Sequence, residues 1–164
     1  MADTALDYDA LDAARQRIRV THMEESPGPS TARGVHHVAL LSNDVERTVR
    51  FYQELLGFSL TDMFENRDYA GSTHFFFDIG NGNALAFFDM PGLGLGPYAE
   101  VLGGLHHLAL SVTPEHWSAA RDRLRAASVS LHEIDSSMYF ADPDGARIEL
   151  ISDPLGEMYG QSVL

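Results

Sequence analysis

The feature that most constrains the fold is a short pattern that occurs twice: GVHHVALLSND begins at Gly34, and GLHHLALSVTP begins 70 residues later at Gly104. In each copy two adjacent histidines open an apolar strand, and the segment that follows has the apolar spacing of a helix. The closing strand pairs align without gaps at an offset of 63 residues, which matches Gly82 with Gly145. Self-similarity at fixed register indicates a repeated structural unit. The sequence therefore predicts one folding unit, present twice.

The repeat divides the chain into segments. Each copy is predicted to contain a strand, a helix and then further strands, so the expected fold class is α+β. The first unit covers residues 34–91 and the second covers 104–153; the glycine-rich joint at 92–103 is not a dinucleotide-binding motif, because no helix follows it. Residues 1–33 form an extension in which DALDAARQRIRV has helical spacing and SPGPSTARG is typical of a linker. Either a packing or dimer-contact helix or a disordered tail fits this extension, and residues 154–164 are expected to be a C-terminal tail.

Composition excludes several classes of chemistry and partner. The net charge of −13 disfavours nucleic acid, since phosphate binding needs clustered cations. The chain has no cysteine, and all 11 basic residues are arginine, so thiolate nucleophiles, sulfur-ligated metals and Schiff-base lysines are excluded. No apolar run approaches the roughly 18 residues that cross a bilayer, and the acidic N-terminus does not resemble a signal peptide. We therefore expect a cytoplasmic protein without a membrane or nucleic-acid partner.

The two histidine pairs indicate a shared metal site. Side chains alternate between faces along a strand, so only one histidine of each pair can face a cavity. The second histidine of each pair, His37 or His107, lies on the face that carries the small residues Ala39 and Ala109. The opposite face is apolar and suits packing against the helix. A pseudo-twofold relation between the units would bring His37 and His107 together.

A carboxylate completes the predicted ligand set. Glu149 lies in the apolar strand RIELI, where a lone carboxylate is costly unless it is paired or bound to a metal. Its counterpart in the first unit is Ala86, which leaves room for a ligand. Two imidazoles and one carboxylate suit Fe(II) or Mn(II), with Ni(II), Zn(II) and Co(II) as alternatives, and they leave coordination positions open for a substrate.

Two further side chains in the same register are candidates for catalysis. Tyr139 aligns with Phe76, and two residues earlier Ser137 aligns with His74. If these positions face the cavity, His74 could accept or donate a proton near the metal, and Tyr139 could donate a hydrogen bond to a bound oxygen. The alternative for His74 is a structural histidine buried beside aromatic side chains.

The segments HHVALLSNDVERTVRFYQELLGF and YFADPDGARIELI resemble the vicinal oxygen chelate superfamily, which includes glyoxalase I, fosfomycin-resistance enzymes, bleomycin-binding proteins and extradiol ring-cleaving dioxygenases. The resemblance covers about residues 34–153 and implies two tandem βαβββ units that form a half-open barrel around a metal site. It places the family's metal ligands on His37, His107 and Glu149. It also implies a homodimer, with the site formed within one chain or exchanged between two chains. Ala86 stands where glyoxalase I has a further ligand, which disfavours that activity.

The resemblance to extradiol dioxygenases rests on a local signature in the second unit. The residues that meet its spacing are His132, Met138, Tyr139, Asp142, Pro143, Gly145 and Glu149. The resemblance implies a metal-dependent enzyme, most similar to an extradiol dioxygenase, that acts on a small aromatic or hydroxyketone substrate chelated through vicinal oxygens. His74, Tyr139 and His132 are the expected catalytic residues. The alternatives are an isomerase, a lyase or a fosfomycin-type epoxide-opening enzyme, and a non-catalytic protein that binds small molecules such as drugs.

Overall fold

The computed structural model describes residues 6–25 and 28–164, and it divides the chain into two compact units, 1–33 and 34–164. Within residues 1–33, helix α1 (Tyr8–His22) begins where the side chain of Asp7 accepts a hydrogen bond from the backbone N–H of Ala10. None of the residues of α1 is buried. Positions 26 and 27, with which the predicted linker begins, lie outside the described residues, as do positions 1–5.

Within residues 34–164, the first repeat (repeat 1) forms a four-stranded sheet. Its elements are β1 (His37–Ser42), α2 (Val45–Arg50) with a π-helical continuation (Phe51–Leu55), β2 (Leu60–Glu65), β3 (Thr73–Asp78) and β4 (Ala84–Asp89). The strand order is β1-β4-β3-β2, in which β1 and β4 are parallel and the other neighbours are antiparallel. Asp44 caps α2 by accepting a hydrogen bond from the backbone N–H of Arg47, and Gly57, at a φ of 80°, follows the end of the helical segment.

The second repeat has the same topology. Its elements are β5 (Leu108–Ser111), α3 (Pro114–Ala126), β6 (His132–Ile134), β7 (Ser137–Ala141) and β8 (Arg147–Ile151). The strand order β5-β8-β7-β6 reproduces that of the first repeat, which confirms the predicted α+β fold of two βαβββ units. A short hairpin of β9 (Glu157–Met158) and β10 (Gln161–Ser162) follows. Among residues 6–25 and 28–164, no helix combines the length and the apolar character that a membrane span needs.

The two repeats pack together through the helix-facing sides of their sheets. One continuous core contains large side chains from both repeats, including Tyr52, Phe75, Phe77, Phe87, Leu124, Met138, Ile148 and Leu150. Because side chains alternate along a strand, the opposite face of each sheet carries the candidate site residues. His37 and His74 lie on that face in the first repeat, and Tyr139 and Glu149 lie on it in the second.

Buried polar contacts join the closing turn of repeat 2 to the helix of repeat 1. The hydroxyl of Tyr52 donates to Oδ2 of Asp142 at 3.1 Å, and the backbone N–H groups of Asp144 and Ala146 donate to its Oδ1. Burial raises the pKa of the Asp142 carboxyl. Arg47 and Asp144 add an ion pair at 2.6 Å. Asp142, one of the signature residues, is therefore engaged in holding the two repeats together.

Candidate metal centre

Two of the three predicted metal ligands lie side by side in repeat 2. Strands β5 and β8 are parallel neighbours with Ala109 opposite Glu149, so His107, two residues before Ala109, shares the face of Glu149. The Nε2 atom of His107 is 3.0 Å from the Oε2 atom of Glu149. Glu149 is 5% exposed, whereas the side chain of His107 is 32% exposed. A buried carboxylate thus meets the imidazole of a side chain that is partly exposed.

Two side chains of β7 lie beside the Glu149 carboxylate. Tyr139 is the cross-strand partner of Glu149, and its ring centroid is 5.9 Å from that of His107. Burial and, next, the neighbouring Glu149 carboxylate raise the pKa of the Tyr139 phenol, so this group stays protonated at neutral pH and can donate a hydrogen bond. The hydroxyl of Ser137, a residue that is 4% exposed, donates to Oε1 of Glu149 at 2.5 Å.

His107 and Tyr139 open into a cavity of about 780 Å³, a volume suited to a small molecule. The residues that line it include Tyr98, Glu100, His107, His132, Tyr139 and Arg147. His132 is opposite Tyr139 on the edge strand β6, with the two ring centroids 6.4 Å apart. Two of the three predicted catalytic residues, Tyr139 and His132, therefore share this cavity with His107.

The joint between the repeats contributes to the wall of the cavity. The hydroxyl of Tyr98 donates to the carbonyl oxygen of Leu105. The carboxylate of Glu100 forms an ion pair with the guanidinium of Arg147 at 2.5 Å, and Arg147 also donates to Nε2 of His106 at 3.1 Å. The arginine on the cavity wall therefore already has an anionic partner.

The equivalent face of repeat 1 carries His37 and His74 among aromatic rings. His37 is exposed at the start of β1. The ring of His74 stacks on Phe88 with centroids 3.7 Å apart, and it lies 4.2 Å from Phe76 and 5.3 Å from Phe64. Its Nε2 atom is buried and has no hydrogen-bond partner among the described residues. Burial and, next, the charge of His37 lower the pKa of His74, so its ring is neutral at neutral pH.

His37 does not join His107 and Glu149 of the same chain. Within residues 6–25 and 28–164, no group of three or more His, Cys, Asp or Glu side chains is arranged to hold a metal ion. The packing of the repeats explains this result, because they meet through the faces opposite to those that carry the ligands. One chain therefore presents two of the predicted ligands at one place and the third at another.

The donors that do come together fit a divalent cation. A carboxylate oxygen and an imidazole nitrogen, 3.0 Å apart, are ligands that Fe(II), Mn(II) and Zn(II) accept. A buried carboxylate is costly without a positive partner, and a cation at this position would provide one. The remaining protein ligand must then come from outside this pair.

The sequence pattern did not predict the contact of Ser137 with the carboxylate, or that Tyr98 and Glu100 lie on the cavity wall. Alternation indicated the face of Ser137, which lies two residues before Tyr139 on β7, but it could not show that the hydroxyl contacts Glu149. Tyr98 and Glu100 lie in the joint, which has no counterpart in the repeat and no periodic pattern, so the sequence offered no comparable signal for them.

Comparison with known proteins agrees with the fold. A family model described as the glyoxalase/bleomycin resistance protein/dioxygenase superfamily matches residues 34–150. MhqE of Bacillus subtilis (strain 168), named as a ring-cleaving dioxygenase, is 29% identical over 127 residues, which cover 73% of this chain and 41% of that protein. Metallothiol transferase FosB of Lysinibacillus sphaericus (strain C3-41) is 24% identical over 133 residues, which cover 73% of this chain and 82% of that protein.

Among solved structures, a glyoxylase/bleomycin resistance protein/dioxygenase domain from Frankia sp. EAN1pec matches with a TM-score of 0.62 and 22% identity, over 76% of this chain and 94% of that one. The chain spans about two-fifths of the length of the two ring-cleaving dioxygenases that it matches. The resemblance inferred from the sequence is confirmed. Since the family model covers residues 34–150, the chain belongs to the glyoxalase/bleomycin resistance protein/dioxygenase superfamily, the vicinal oxygen chelate proteins.

Proposed function

We propose that this protein is a divalent-metal-dependent enzyme that binds a small substrate through two adjacent oxygen atoms, with a catechol-like diol as the favoured substrate class. The observation that carries the proposal is the buried carboxylate of Glu149, whose Oε2 lies 3.0 Å from Nε2 of His107, a residue that lines the open cavity. A bound cation supplies Lewis-acid polarisation of the chelated oxygens. The combination of imidazoles and one carboxylate favours Fe(II) or Mn(II).

The third ligand is proposed to come from a second copy of the chain. His37 lies on an exposed face of repeat 1 that also carries apolar side chains, among them Leu41, which is 50% exposed, and Phe64, which is 47% exposed. Exposed apolar surface of this kind is typical of an interaction site. In a twofold dimer, repeat 1 of each copy would face repeat 2 of the other, so that His37 completes the ligand set twice.

An aromatic substrate is favoured by the residues of repeat 1. Phe64, Phe76 and Phe88 surround the ring of His74 on the face that also carries His37. A surface of this composition suits a flat apolar ring better than a charged group. The similarity to MhqE, which is named as a ring-cleaving dioxygenase, supports the same substrate class.

The proposed roles of the catalytic residues follow from their protonation. His74 is proposed to accept a proton from a substrate hydroxyl, which requires the aromatic rings that bury its unpartnered Nε2 to move aside when the substrate binds. Tyr139 keeps its proton and can donate a hydrogen bond to a substrate oxygen beside Glu149. His132, opposite Tyr139 on the edge strand, is proposed to contact the substrate from the other side of Tyr139.

A second candidate is thiol transfer to a small electrophile, such as the opening of the epoxide in fosfomycin. The similarity to FosB favours it, since the matched region covers 82% of that protein. The charge distribution favours the diol, because the guanidinium of Arg147 is already paired with Glu100 and is less available to a phosphonate.

The test is to load the protein with Fe(II) without oxygen, add catechol or substituted catechols, and then admit oxygen. We expect one O₂ consumed for each ring opened, and no reaction from a His107→Ala variant. If the protein consumes fosfomycin in the presence of a thiol and Mn(II) but does not react with catechols, the second candidate would be favoured. Substoichiometric metal after loading, with no rise in melting temperature, would contradict the proposal and indicate a non-catalytic binding protein.

A further inference from the structure

We propose that Ser137 is a positioning residue that determines which oxygen of Glu149 meets a metal ion. The inference rests on the proposed function, because it concerns the same carboxylate. It adds that the two carboxylate oxygens have different roles: Oε1 accepts a hydrogen bond from the protein, and Oε2 is left to bind the cation.

The contacts of Glu149 differ at its two oxygens. Oε1 accepts a hydrogen bond from the Ser137 hydroxyl at 2.5 Å, and both residues are almost fully buried, at 4% and 5% exposure. Oε2 lies 3.0 Å from Nε2 of His107, whose side chain is accessible from the cavity. The inner oxygen is thus bound to a hydroxyl, and the outer oxygen faces the other donor of the site.

The chemistry of the pair fixes the direction of this hydrogen bond. An ionised carboxylate only accepts hydrogen bonds, and a serine hydroxyl has one proton to donate, so Ser137 donates to Glu149. A hydrogen bond to a charged acceptor inside the protein is stronger than one between neutral groups, and it restrains the rotation of the carboxylate. With Oε1 held in this way, Glu149 is expected to bind a cation through Oε2 alone.

The comparison between the repeats supports a specific role for this serine. Ser137 and Glu149 occupy diagonal positions on adjacent strands, since the direct partner of Glu149 is Tyr139. At the equivalent positions, repeat 1 has His74 and Ala86. The hydroxyl therefore occurs in the repeat that carries the carboxylate, and the other repeat has neither group.

The test compares metal binding by full-length Ser137→Ala and Ser137→Thr. Free Mn(II), measured by electron paramagnetic resonance, reports affinity without any dependence on turnover. We expect about tenfold weaker Mn(II) binding for the alanine variant, as for the loss of other groups that orient metal ligands, and affinity close to wild type for threonine, which keeps the hydroxyl. Ser152→Ala is the matched control, because Ser152 donates to a backbone carbonyl in the same hairpin rather than to the carboxylate.

Infrared difference spectra add a readout that a purely structural role would not change. When Oε1 is released, both oxygens of Glu149 can bind Mn(II), so the separation between the antisymmetric and symmetric carboxylate stretches should narrow in Ser137→Ala. If alanine prevents folding, Ser137→Val takes its place, because valine has the shape of threonine without the hydroxyl. Unchanged affinity and spectra in a folded variant would overturn the inference while leaving the proposed function intact. Failure of the wild-type protein to bind Mn(II) would overturn both.

Discussion

Replacement of Glu149 by glutamine separates its role at the metal from its role in the fold. The carboxylate is 5% exposed and is bound by the hydroxyl of Ser137. Glutamine keeps the shape and one acceptor oxygen but removes the charge. Because a buried carboxylate is costly without a cation, we expect the metal-free variant to be at least as stable as the metal-free wild type.

The expected loss appears only when metal is added. At a metal concentration 100 times the Kd, binding stabilises the wild type by about 2.7 kcal/mol, which corresponds to a rise in Tm of about 5–11 °C for a chain of this length. Loss of a ligand should weaken binding at least as much as loss of a group that orients it, about 100-fold. The same metal concentration then equals the Kd of the variant and stabilises it by only about 0.4 kcal/mol, or about 1–2 °C.

The assay is thermal unfolding with and without Mn(II) for the wild type, Glu149→Gln and the control Glu54→Gln. Glu54 is exposed on the π-helical continuation of α2, so the same chemical change there should leave the metal-induced shift intact. A Glu149→Gln protein that gains as much stability from Mn(II) as the wild type would refute the assignment of this carboxylate as a ligand.

Two further variants test polar groups elsewhere in the domain. Burial raises the pKa of Asp142, so its contribution to stability is present below the unfolded pKa and is lost as pH rises through the folded pKa. The unfolding free energy of Asp142→Asn minus that of the wild type, measured by urea unfolding, should therefore rise as the pH increases above about 4. A difference that does not change with pH would contradict this prediction. His74→Phe removes an unpartnered buried nitrogen, so Tm should rise while kcat falls about 100-fold or more. Unchanged kcat in steady-state kinetics would exclude His74 from catalysis.

Much of the fold could be predicted because its determinants are local. The doubled histidine pattern and the gap-free alignment of the closing strands imply the same strand order in both halves, and the structure has that order. Alternation along β8 was enough to separate Glu149 from the core residues Ile148 and Leu150. The alignment of the repeats also indicated a cavity-facing position for Tyr139, and in the structure Tyr139 is the cross-strand partner of Glu149.

The spatial relation between the two ligand faces could not be predicted in the same way. Periodicity shows which face of a strand carries His37 or His107, but it does not show whether the two faces close on each other. That relation depends on how the repeats pack, and here contacts such as that of Tyr52 with Asp142 join them through their helix sides. The role of Asp142 was hidden for the same reason, since its partner is 90 residues away in sequence.

In the proposed dimer, each metal site combines His37 of one copy with His107 and Glu149 of the other. The most direct test is the metal content of dimers formed when His37→Ala and Glu149→Gln chains are unfolded and refolded together. Either variant alone lacks a ligand at every site, whereas a mixed dimer has one site with both changes and one site with neither. Random pairing makes half of the dimers mixed, so the account predicts that about a quarter of the wild-type sites return. A mixture that binds no more Mn(II) than the separate variants would contradict it.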